Sequence, residues 1–379
     1  MNEHYIAVGL MSGTSADGID AVLVRTDGMT PPRVLAELEM PFADDLHQRI
    51  LALYQTGTDE LERLGRLHRE LGERFAEAAL AVARQGGLSM ERVDVIGSHG
   101  QTVRHRPPFF TWQIGDPFII AARTGVTTVA DFRPADLAQG GEGAPLAPLF
   151  HQVLFGRPGQ RVAVVNLGGI ANVTALPGHP EHPLVAGDIG PANSLIDLLA
   201  TRLGNGQRTM DHHGTAADQG TVDRAVLAEL LDHPYLQRPF PKSTGREEFG
   251  AEFLHTLLTR HPHLNGVDGL ATLTQFTAQI VADGCMGLLP PAPNRVILCG
   301  GGARNRSLVA RLQRCLPPGV RISDAEDLGV NAATLEAQAF AWFAVRTLKG
   351  LPSSLPQATG ARIPAILGSI HPVAPCRAL

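Results

Sequence analysis

The strongest constraint in the sequence is a strand-turn-strand pattern that occurs twice. In the first copy, apolar runs at 5–10 and 19–24 flank a turn at 11–18. In the second copy, similar runs at 161–166 and 171–176 flank the turn Leu-Gly-Gly-Ile. Short β-branched runs separated by turn residues are typical of β-hairpins. Because self-similarity of this kind indicates an internal repeat, we expect two related halves.

Between the hairpins, helical periodicity alternates with short apolar strands. We expect helices at 61–75, 195–203, 221–231, 246–260, 267–288, 305–315 and 332–348, and strands at 93–97, 126–130, 295–299 and 320–323. This alternation predicts an α/β fold with a largely parallel sheet in each half. The length of 379 residues suits two domains, which we place at 1–155 and 156–379. The residues after Gly350 are expected to form an irregular strap.

The composition restricts the class of ligand. There are 32 Lys and Arg residues against 37 Asp and Glu, a net charge of -5. Because the basic residues are scattered, we expect no binding of nucleic acid or of an anionic membrane, and a small-molecule ligand instead. The four cysteines lie far apart, which argues against a zinc site or a disulfide framework. No signal-peptide pattern or membrane-spanning run is present, so we predict a cytoplasmic protein.

Glycine-rich turns take the place of the common phosphate-binding signatures. The sequence has no P-loop, no G-x-G-x-x-G after a first strand and no G-x-S-x-G. Three turns follow apolar strands and offer backbone N–H groups to a phosphate. They contain Gly13, Thr14, Ser15, Ala16, Asp17, Gly18, Ile19 and Asp20 in the first turn, Gly168 and Gly169 in the second, and Gly300, Gly301 and Gly302 in the third.

The first of these turns combines hydroxyls with two carboxylates. Hydroxyls and amides suit phosphoryl oxygens, whereas Asp17 and Asp20 suit Mg²⁺. The alternative is an ordinary hairpin turn, for which the same residue types are common. For the triple glycine at 300–302, the choice lies between tight packing and the close approach of a planar ligand.

Asp188 follows a short apolar run and precedes an expected helix with Pro191 in its first turn. A carboxylate at that point can accept a proton from a bound hydroxyl or water. The alternative is an N-cap of the helix, a frequent use of Asp. The sequence leaves both interpretations open.

Two polar segments follow expected strands. The first, expected to be a loop, contains Ser98, His99 and Gln101, and the second contains Arg133. Such groups suit a polyhydroxylated ligand, and Arg133 could hold a carboxylate in a bidentate fork. The alternative is a pair of surface loops with ordinary salt bridges.

Two further groups of polar residues could bind a ligand or a metal. Glu336 lies in an otherwise apolar helix and therefore needs either an ionic partner or a ligand. The cluster 211–213, Asp-His-His, lacks metal-ligand spacing and is expected to be a solvated turn.

Taken together, these motifs resemble one family over nearly the whole chain, the anhydro-N-acetylmuramic acid kinases of the sugar kinase, Hsp70 and actin superfamily. The resemblance is carried by residues 9–20, 97–105, 130–136, 166–174, 188–193, 242–247, 299–305 and 329–337. It implies two duplicated ribonuclease-H-like domains, as in actin-like ATPases, around a central cleft that binds ATP and Mg²⁺. It also implies a homodimer.

The resemblance implies a coupled reaction in peptidoglycan recycling. Water opens the 1,6-anhydro ring at the anomeric carbon, and O6 takes the γ-phosphoryl group to give N-acetylmuramic acid 6-phosphate and ADP. Asp188 would be the general base, the segment 13–20 the phosphate-binding turn, and 300–302 part of the nucleotide site. Arg133 and Glu336 would contact the sugar, with Glu336 delivered from the second domain as the cleft closes.

Two positions depart from the family pattern. Ala16 stands where a larger apolar residue is commoner, and Ile189 follows the expected base where Thr is commoner. Two alternatives keep the fold. One is a kinase for another amino sugar, in which Asp188 would deprotonate a sugar hydroxyl. The other is an actin-like ATPase without a sugar substrate.

Overall fold

The computed structural model of the chain describes residues 4–179, 181–207 and 209–373. Its contacts divide the chain into two compact units. The first unit comprises the residues up to Leu154 together with those from Ala333 onward, and the second is Phe155–Ala332. The prediction that 156–379 forms one domain is therefore wrong for the last part of the chain, which returns to the first unit.

The described residues of the first unit contain a sheet of seven strands. The strands are β1 (Tyr5–Ser12), β2 (Gly18–Thr26), β3 (Arg33–Pro41), β4 (Val95–Arg106), β5 (Phe110–Ile114), β6 (Thr128–Ala130) and β12 (Ser369–His371). Their order is β12-β6-β4-β1-β2-β3, and β5 pairs with β4. Strands β1 to β3 form an antiparallel meander, whereas β4 and β6 run parallel to β1.

Helices cover both faces of this sheet. They are α1 (Asp44–Leu51), α2 (Glu60–Gln85), α3 (Pro117–Thr124), α4 (Pro134–Ala138), α5 (Ala147–Phe155), α11 (Leu335–Leu348) and α12 (Pro356–Thr359). Val8 and Leu10 of β1 share a buried apolar cluster with Phe75 of α2. Because side chains alternate along a strand, Gly9 faces the other side, where a Cβ would lie 1.9 Å from the Ala337 carbonyl oxygen of α11. Helix α11 thus rests directly on the strand backbone.

The second unit repeats the strand order of the first. Its strands are β7 (Val162–Leu167), β8 (Ile170–Leu176), β9 (Val185–Pro191), β10 (Arg295–Cys299) and β11 (Arg321–Asp324), ordered β11-β10-β7-β8-β9. Its helices are α6 (Ser194–Leu203), α7 (Arg224–Leu231), α8 (Ala251–Arg260), α9 (Val267–Leu288) and α10 (Arg306–Cys315). In both units a three-stranded meander is followed by two parallel strands.

The α/β class and both hairpins of the sequence prediction are confirmed. The expectation of largely parallel sheets is wrong, since both sheets are mixed: the meander and, in the first unit, β5 and β12 pair antiparallel to their neighbours. The repeated strand order agrees with the repeat seen in the sequence. A common origin of the two units stays a prediction.

Three local predictions are corrected by the structure. The polar segment after residue 97 is not a loop, because β4 continues to Arg106 and pairs with β5. Pro191 ends β9 and does not begin a helix, since α6 starts at Ser194. The expected irregular strap contains α12 and a strand, β12, that pairs with β6. Residues 374–379 of that strap lie outside the described residues.

None of the helices in the described ranges is long and apolar enough to cross a membrane.

Candidate functional site

The first glycine-rich turn joins β1 to β2 and leaves its polar side chains at the surface. Ala16 has a left-handed φ of 55° and is fully buried, and its N–H donates to the Gly13 carbonyl over 3.0 Å. Thr14, Ser15 and Asp17 are exposed. Ala16 therefore anchors the turn, and its exposed neighbours are the part that a ligand can reach.

Gln101 supports this turn from the adjacent strand β4. Its Oε1 accepts from Ser12 Oγ at 2.6 Å, and its Nε2 donates to the Gly13 carbonyl and to the Tyr54 hydroxyl, both at 2.9 Å. The side chain is completely buried. The Gln101 amide thus holds the turn in place, and its contact with substrate stays a prediction.

Carboxylates crowd the base of the turn. Asp20 is half-buried, and burial followed by the charges of Glu39, Asp17 and Glu336 raises the pKa of its carboxyl to about 7. A divalent cation would relieve this repulsion. The described residues contain no group of three or more His, Cys, Asp or Glu side chains that could hold a metal. These carboxylates therefore fit an Mg²⁺ ion that is held by one or two carboxylates together with phosphate oxygens.

Arg133 follows β6 and is held by two neutral acceptors. Its Nε donates to Nε2 of His99 at 2.9 Å, and its Nη1 donates to the Gly143 carbonyl at 2.8 Å. The other ring nitrogen of His99, Nδ1, lies 3.0 Å from the Gly100 carbonyl and must donate to it. Burial and the charge of Arg133 hold the pKa of His99 well below its usual range. The neutral imidazole therefore orients the guanidinium.

Glu336 lies in the first turn of α11, within the first unit. The predicted delivery of Glu336 from the second domain is therefore wrong. Its side chain is accessible to solvent, but the dense protein around its carboxyl raises the pKa, and the charge of Arg133 opposes that shift. Arg133 and Glu336 are thus electrostatically linked, as a shared sugar site would require.

A cavity of about 240 Å³ lies beside β4 and is lined by Ser98 and His99. Gln113, Asp116 and Asp131 contribute further polar groups to its wall. Ser98 is buried, and within the described part of the chain its hydroxyl has no hydrogen-bond partner. A buried hydroxyl without a partner is uncommon, so the Ser98 hydroxyl is available to a ligand in this cavity.

In the second unit, the turns after the parallel strands β7 and β10 lie at the same edge of the sheet. A Cβ on Gly300, whose φ is +78°, would lie 2.3 Å from Asn166 Oδ1, and one on Gly302 would lie 2.6 Å from Leu167 Cβ. Gly301 has open space around it. Two of the three glycines thus serve close packing, and Gly301 leaves room for a ligand.

The neighbouring backbone is held by hydrogen bonds. Gly168 and Gly169 connect β7 to β8, and their carbonyls accept from the N–H groups of Asn193 and Ala192. Asn305 caps α10 by accepting from the Leu308 N–H at 3.1 Å. Helix N-termini and glycine turns often present N–H groups to phosphates, but the N–H groups of Ala192, Asn193 and Leu308 are already paired here, and the predicted contact of this edge with a nucleotide stays a prediction.

Asp188 lies within β9, so its interpretation as a helix N-cap is wrong. Its Oδ2 accepts from the Thr244 N–H at 3.0 Å, and its own N–H donates to the Lys242 carbonyl at 2.8 Å. Tyr235 donates its hydroxyl to the Asp188 carbonyl at 2.8 Å. Lys242 Nζ in turn donates to the carbonyls of Tyr235 and Leu236. Two contacts therefore hold the backbone of Asp188, and the Thr244 N–H holds its carboxylate.

Sequence reasoning missed the roles of Tyr235, Lys242 and Thr244. Lys242 and Thr244 fall in the motif 242–247, which had carried the resemblance without a role. Ile189, next to Asp188, belongs to the buried core and packs near Gly284. Since its side chain faces that core, the departure at this position removes no polar group from the surroundings of Asp188.

The Asp-His-His cluster is an ordered turn. Asp211 is buried and its carboxylate accepts from the N–H groups of Ala216 and Ala217. His213 Nδ1 lies 3.0 Å from the Arg304 carbonyl, next to the 300–302 turn. The expectation of a solvated turn is therefore wrong for Asp211.

Comparison with known proteins decides the family. A family model for anhydro-N-acetylmuramic acid kinase matches residues 4–373. The chain belongs to the anhydro-N-acetylmuramic acid kinase family. A relative of that name from Shewanella amazonensis is 45% identical over 371 residues, which cover 97% of this chain and 98% of the relative. Relatives from Xylella fastidiosa and Xanthomonas oryzae pv. oryzae are each 44% identical and cover 96% of this chain.

Membership of the anhydro-N-acetylmuramic acid kinase family identifies the chain as a kinase. The function of the family is the phosphorylation of anhydro-N-acetylmuramic acid in cell-wall recycling. An amino sugar and ATP are therefore its substrates.

Proposed function

We propose that the chain opens the 1,6-anhydro ring of anhydro-N-acetylmuramic acid with water and phosphorylates O6, giving N-acetylmuramic acid 6-phosphate and ADP. Family membership supports the kinase reaction and its sugar. The hydrolytic half rests on one observation: the carboxylate of Asp188 is held by the Thr244 N–H at a fixed place on β9.

Asp188 is the general base of this reaction. Water is a weak nucleophile, and a positioned carboxylate that takes its proton accelerates its attack. As the water oxygen bonds to the anomeric carbon, the bond from that carbon to O6 breaks. The electron pair left on O6 then forms the bond to the γ-phosphorus of ATP, and ADP leaves. The contacts from Tyr235 and Lys242 keep the backbone of Asp188 in place.

The glycine-rich turns bind phosphate groups. In the first unit, Thr14 and Ser15 offer exposed hydroxyls and backbone N–H groups. Asp17 and Asp20 would hold Mg²⁺, which when bound neutralises charge on the phosphates. In the second unit, the open surface at Gly301 and the N-terminus of α10 suit the nucleotide.

Arg133 and Glu336 contact the sugar. Arg133 has two of its nitrogens committed to His99 and Gly143, which fixes the plane of the guanidinium and leaves Nη2 for a ligand. The cytoplasmic location and the homodimer implied by the resemblance stay predictions.

The test is a turnover experiment in ¹⁸O-labelled water with MgATP and 1,6-anhydro-N-acetylmuramic acid. We expect sugar-dependent release of ADP and one ¹⁸O atom at the anomeric carbon of the phosphorylated product. Phosphorylated sugar without ¹⁸O would contradict the role of water. No turnover on the anhydro sugar, together with turnover on an open-ring amino sugar, would instead favour deprotonation of a sugar hydroxyl by Asp188.

A further inference from the structure

The strap, residues 351–373, is joined to the sugar-binding region by a buried carboxylate. Thr359 Oγ1 donates to Oδ1 of Asp136 at 2.8 Å across 223 positions of sequence. The other carboxylate oxygen, Oδ2, accepts from the Gly143 N–H at 2.8 Å. Asp136 is completely inaccessible and Thr359 is only 2% exposed. Solvent therefore cannot replace either contact.

The same chain of contacts continues to Arg133. The carbonyl of Gly143 accepts from Arg133 Nη1 at 2.8 Å, so hydrogen bonds run from Thr359 through Asp136 and Gly143 to the guanidinium. Gly143 has a left-handed φ of +69°, which turns its N–H and carbonyl toward these two partners.

The loop 139–143 is also clamped by the strap backbone. The Glu142 N–H donates to the Thr359 carbonyl at 2.8 Å, and the Arg362 N–H donates to the Gln139 carbonyl at 2.9 Å. There is no spare room, since a Cβ on Gly141 would lie 2.3 Å from Asp136 Oδ2 and 2.9 Å from Ala361 Cβ. The strap therefore determines where this loop lies.

We infer that Thr359 and Asp136 are positioning residues for Arg133, and that the strap is a working part of the sugar site. The inference rests on the proposed contact between Arg133 and the sugar. A guanidinium binds well only when its plane is held correctly, and small displacements of a binding group weaken a site considerably. Removing the Thr359 hydroxyl leaves Asp136 Oδ1 without its side-chain donor and loosens the loop that holds Arg133 Nη1.

The experiment compares the dissociation constants of 1,6-anhydro-N-acetylmuramic acid and of ATP, measured by calorimetry. For Thr359→Val we expect the sugar Kd to rise about fivefold to tenfold, because a hydrogen bond to a carboxylate is worth at least that much. The ATP Kd should stay unchanged. Thr359→Ser keeps the hydroxyl and should restore the wild-type sugar Kd.

Thr347→Val is the matched control. The Thr347 hydroxyl also donates to the strap, at the Leu367 carbonyl over 2.5 Å, and its other acceptor is the Phe343 carbonyl. We expect this variant to lower the melting temperature without changing the sugar Kd. If T359V does not fold, Asp136→Asn keeps the size of the side chain and should show the same selective loss of sugar affinity.

The variant Arg133→Gln distinguishes a failure of this inference from a failure of the proposed function. If R133Q raises the sugar Kd and T359V behaves like T347V, the role of the strap is overturned and the proposed function stands. If R133Q itself leaves the sugar Kd unchanged, Arg133 is not a sugar contact, and both this inference and that part of the proposed function are wrong.

Discussion

Nε of Arg133 donates to Nε2 of His99 over 2.9 Å, so the imidazole must be neutral and protonated on Nδ1. This pair places a buried histidine behind a half-buried arginine. In the proposed sugar site, His99 would therefore act through Arg133, whereas its sequence context had suggested a direct contact.

Replacing His99 should weaken sugar binding selectively. In His99→Leu, Arg133 Nε loses its acceptor, and we expect the Kd for the anhydro sugar to rise about tenfold, with no change for ATP. His99→Gln offers an amide oxygen to the same Nε and should recover part of the affinity. Equal sugar affinity in wild type and H99L, measured by calorimetry, would contradict the positioning role.

Removal of the proposed base should abolish turnover. For Asp188→Asn we expect kcat to fall at least about a hundredfold, the usual contribution of a general base, while ATP binding stays near wild type. Asp283→Asn, which changes an exposed carboxylate on α9, is the matched control and should keep full activity. Steady-state ADP release measures both variants, and wild-type turnover by D188N would exclude Asp188 as the base.

The hydroxyl of Tyr235 should matter for rate more than for binding. In Tyr235→Phe, the Asp188 carbonyl loses its 2.8 Å hydrogen bond. We expect kcat to fall severalfold, KM for ATP to stay constant, and the free energy of unfolding to fall by about 1 kcal/mol. Tyr5→Phe in the first unit is the control. A change in KM for ATP without a change in kcat would count against this account.

Glycine at the helix–strand contact should be essential for stability. A Cβ on Gly97 of β4 would lie 2.1 Å from the Phe340 carbonyl oxygen of α11. We expect Gly97→Ala to lower the free energy of unfolding by about 3 kcal/mol. Gly65→Ala on α2, where nothing lies within 4 Å of the added Cβ, should instead raise it by about 0.5–1 kcal/mol. Denaturant unfolding compares the two.

Stability should fall as the pH is lowered toward 5. Burial lowers the pKa of His151 to about 4. The imidazole therefore stays neutral in the folded state at pH values below about 6.5, at which it is protonated in the unfolded state. The stabilisation is therefore present above pH 6.5 and is lost as the pH falls. In His151→Leu, the loss of unfolding free energy between pH 7 and pH 5 should shrink by about 2 kcal/mol. An unchanged pH dependence would show that His151 does not titrate in this way.

Local patterns in the sequence were enough to predict the hairpins and several elements. The strand Arg295–Cys299 and the helix Val267–Leu288 are as expected, because each has an apolar pattern of the right period bounded by turn residues. The prediction was wrong for polar residues whose hydrogen-bond partners lie far away in the sequence. Residues 97–106 seemed too polar for a strand, yet β5 pairs with residues 101–106, and the buried His99 and Gln101 form hydrogen bonds with Arg133 and Ser12.

The return of the chain to the first unit could not be predicted from local sequence. Nothing in the composition of α11 shows that it packs on Gly9 and Gly97, since this contact depends on glycines hundreds of positions earlier. The same limit applied to Asp188, whose partners Tyr235 and Thr244 come from a separate segment. Residue types that suit the proposed chemistry could be found in the sequence, whereas the contacts that orient them could not.

The discontinuous first unit sets an order of events during translation. Residues up to Leu154 leave the ribosome first, but α11 and the strap follow only after the whole of the second unit has been made. Until then, the face of the sheet around Gly9 and Gly97 lacks its covering helix, and Arg133 lacks the support that Thr359 provides. A nascent or prematurely terminated chain that ends before α11 and the strap therefore lacks the contacts at Gly9, Gly97 and Asp136, which can form only when synthesis is almost complete.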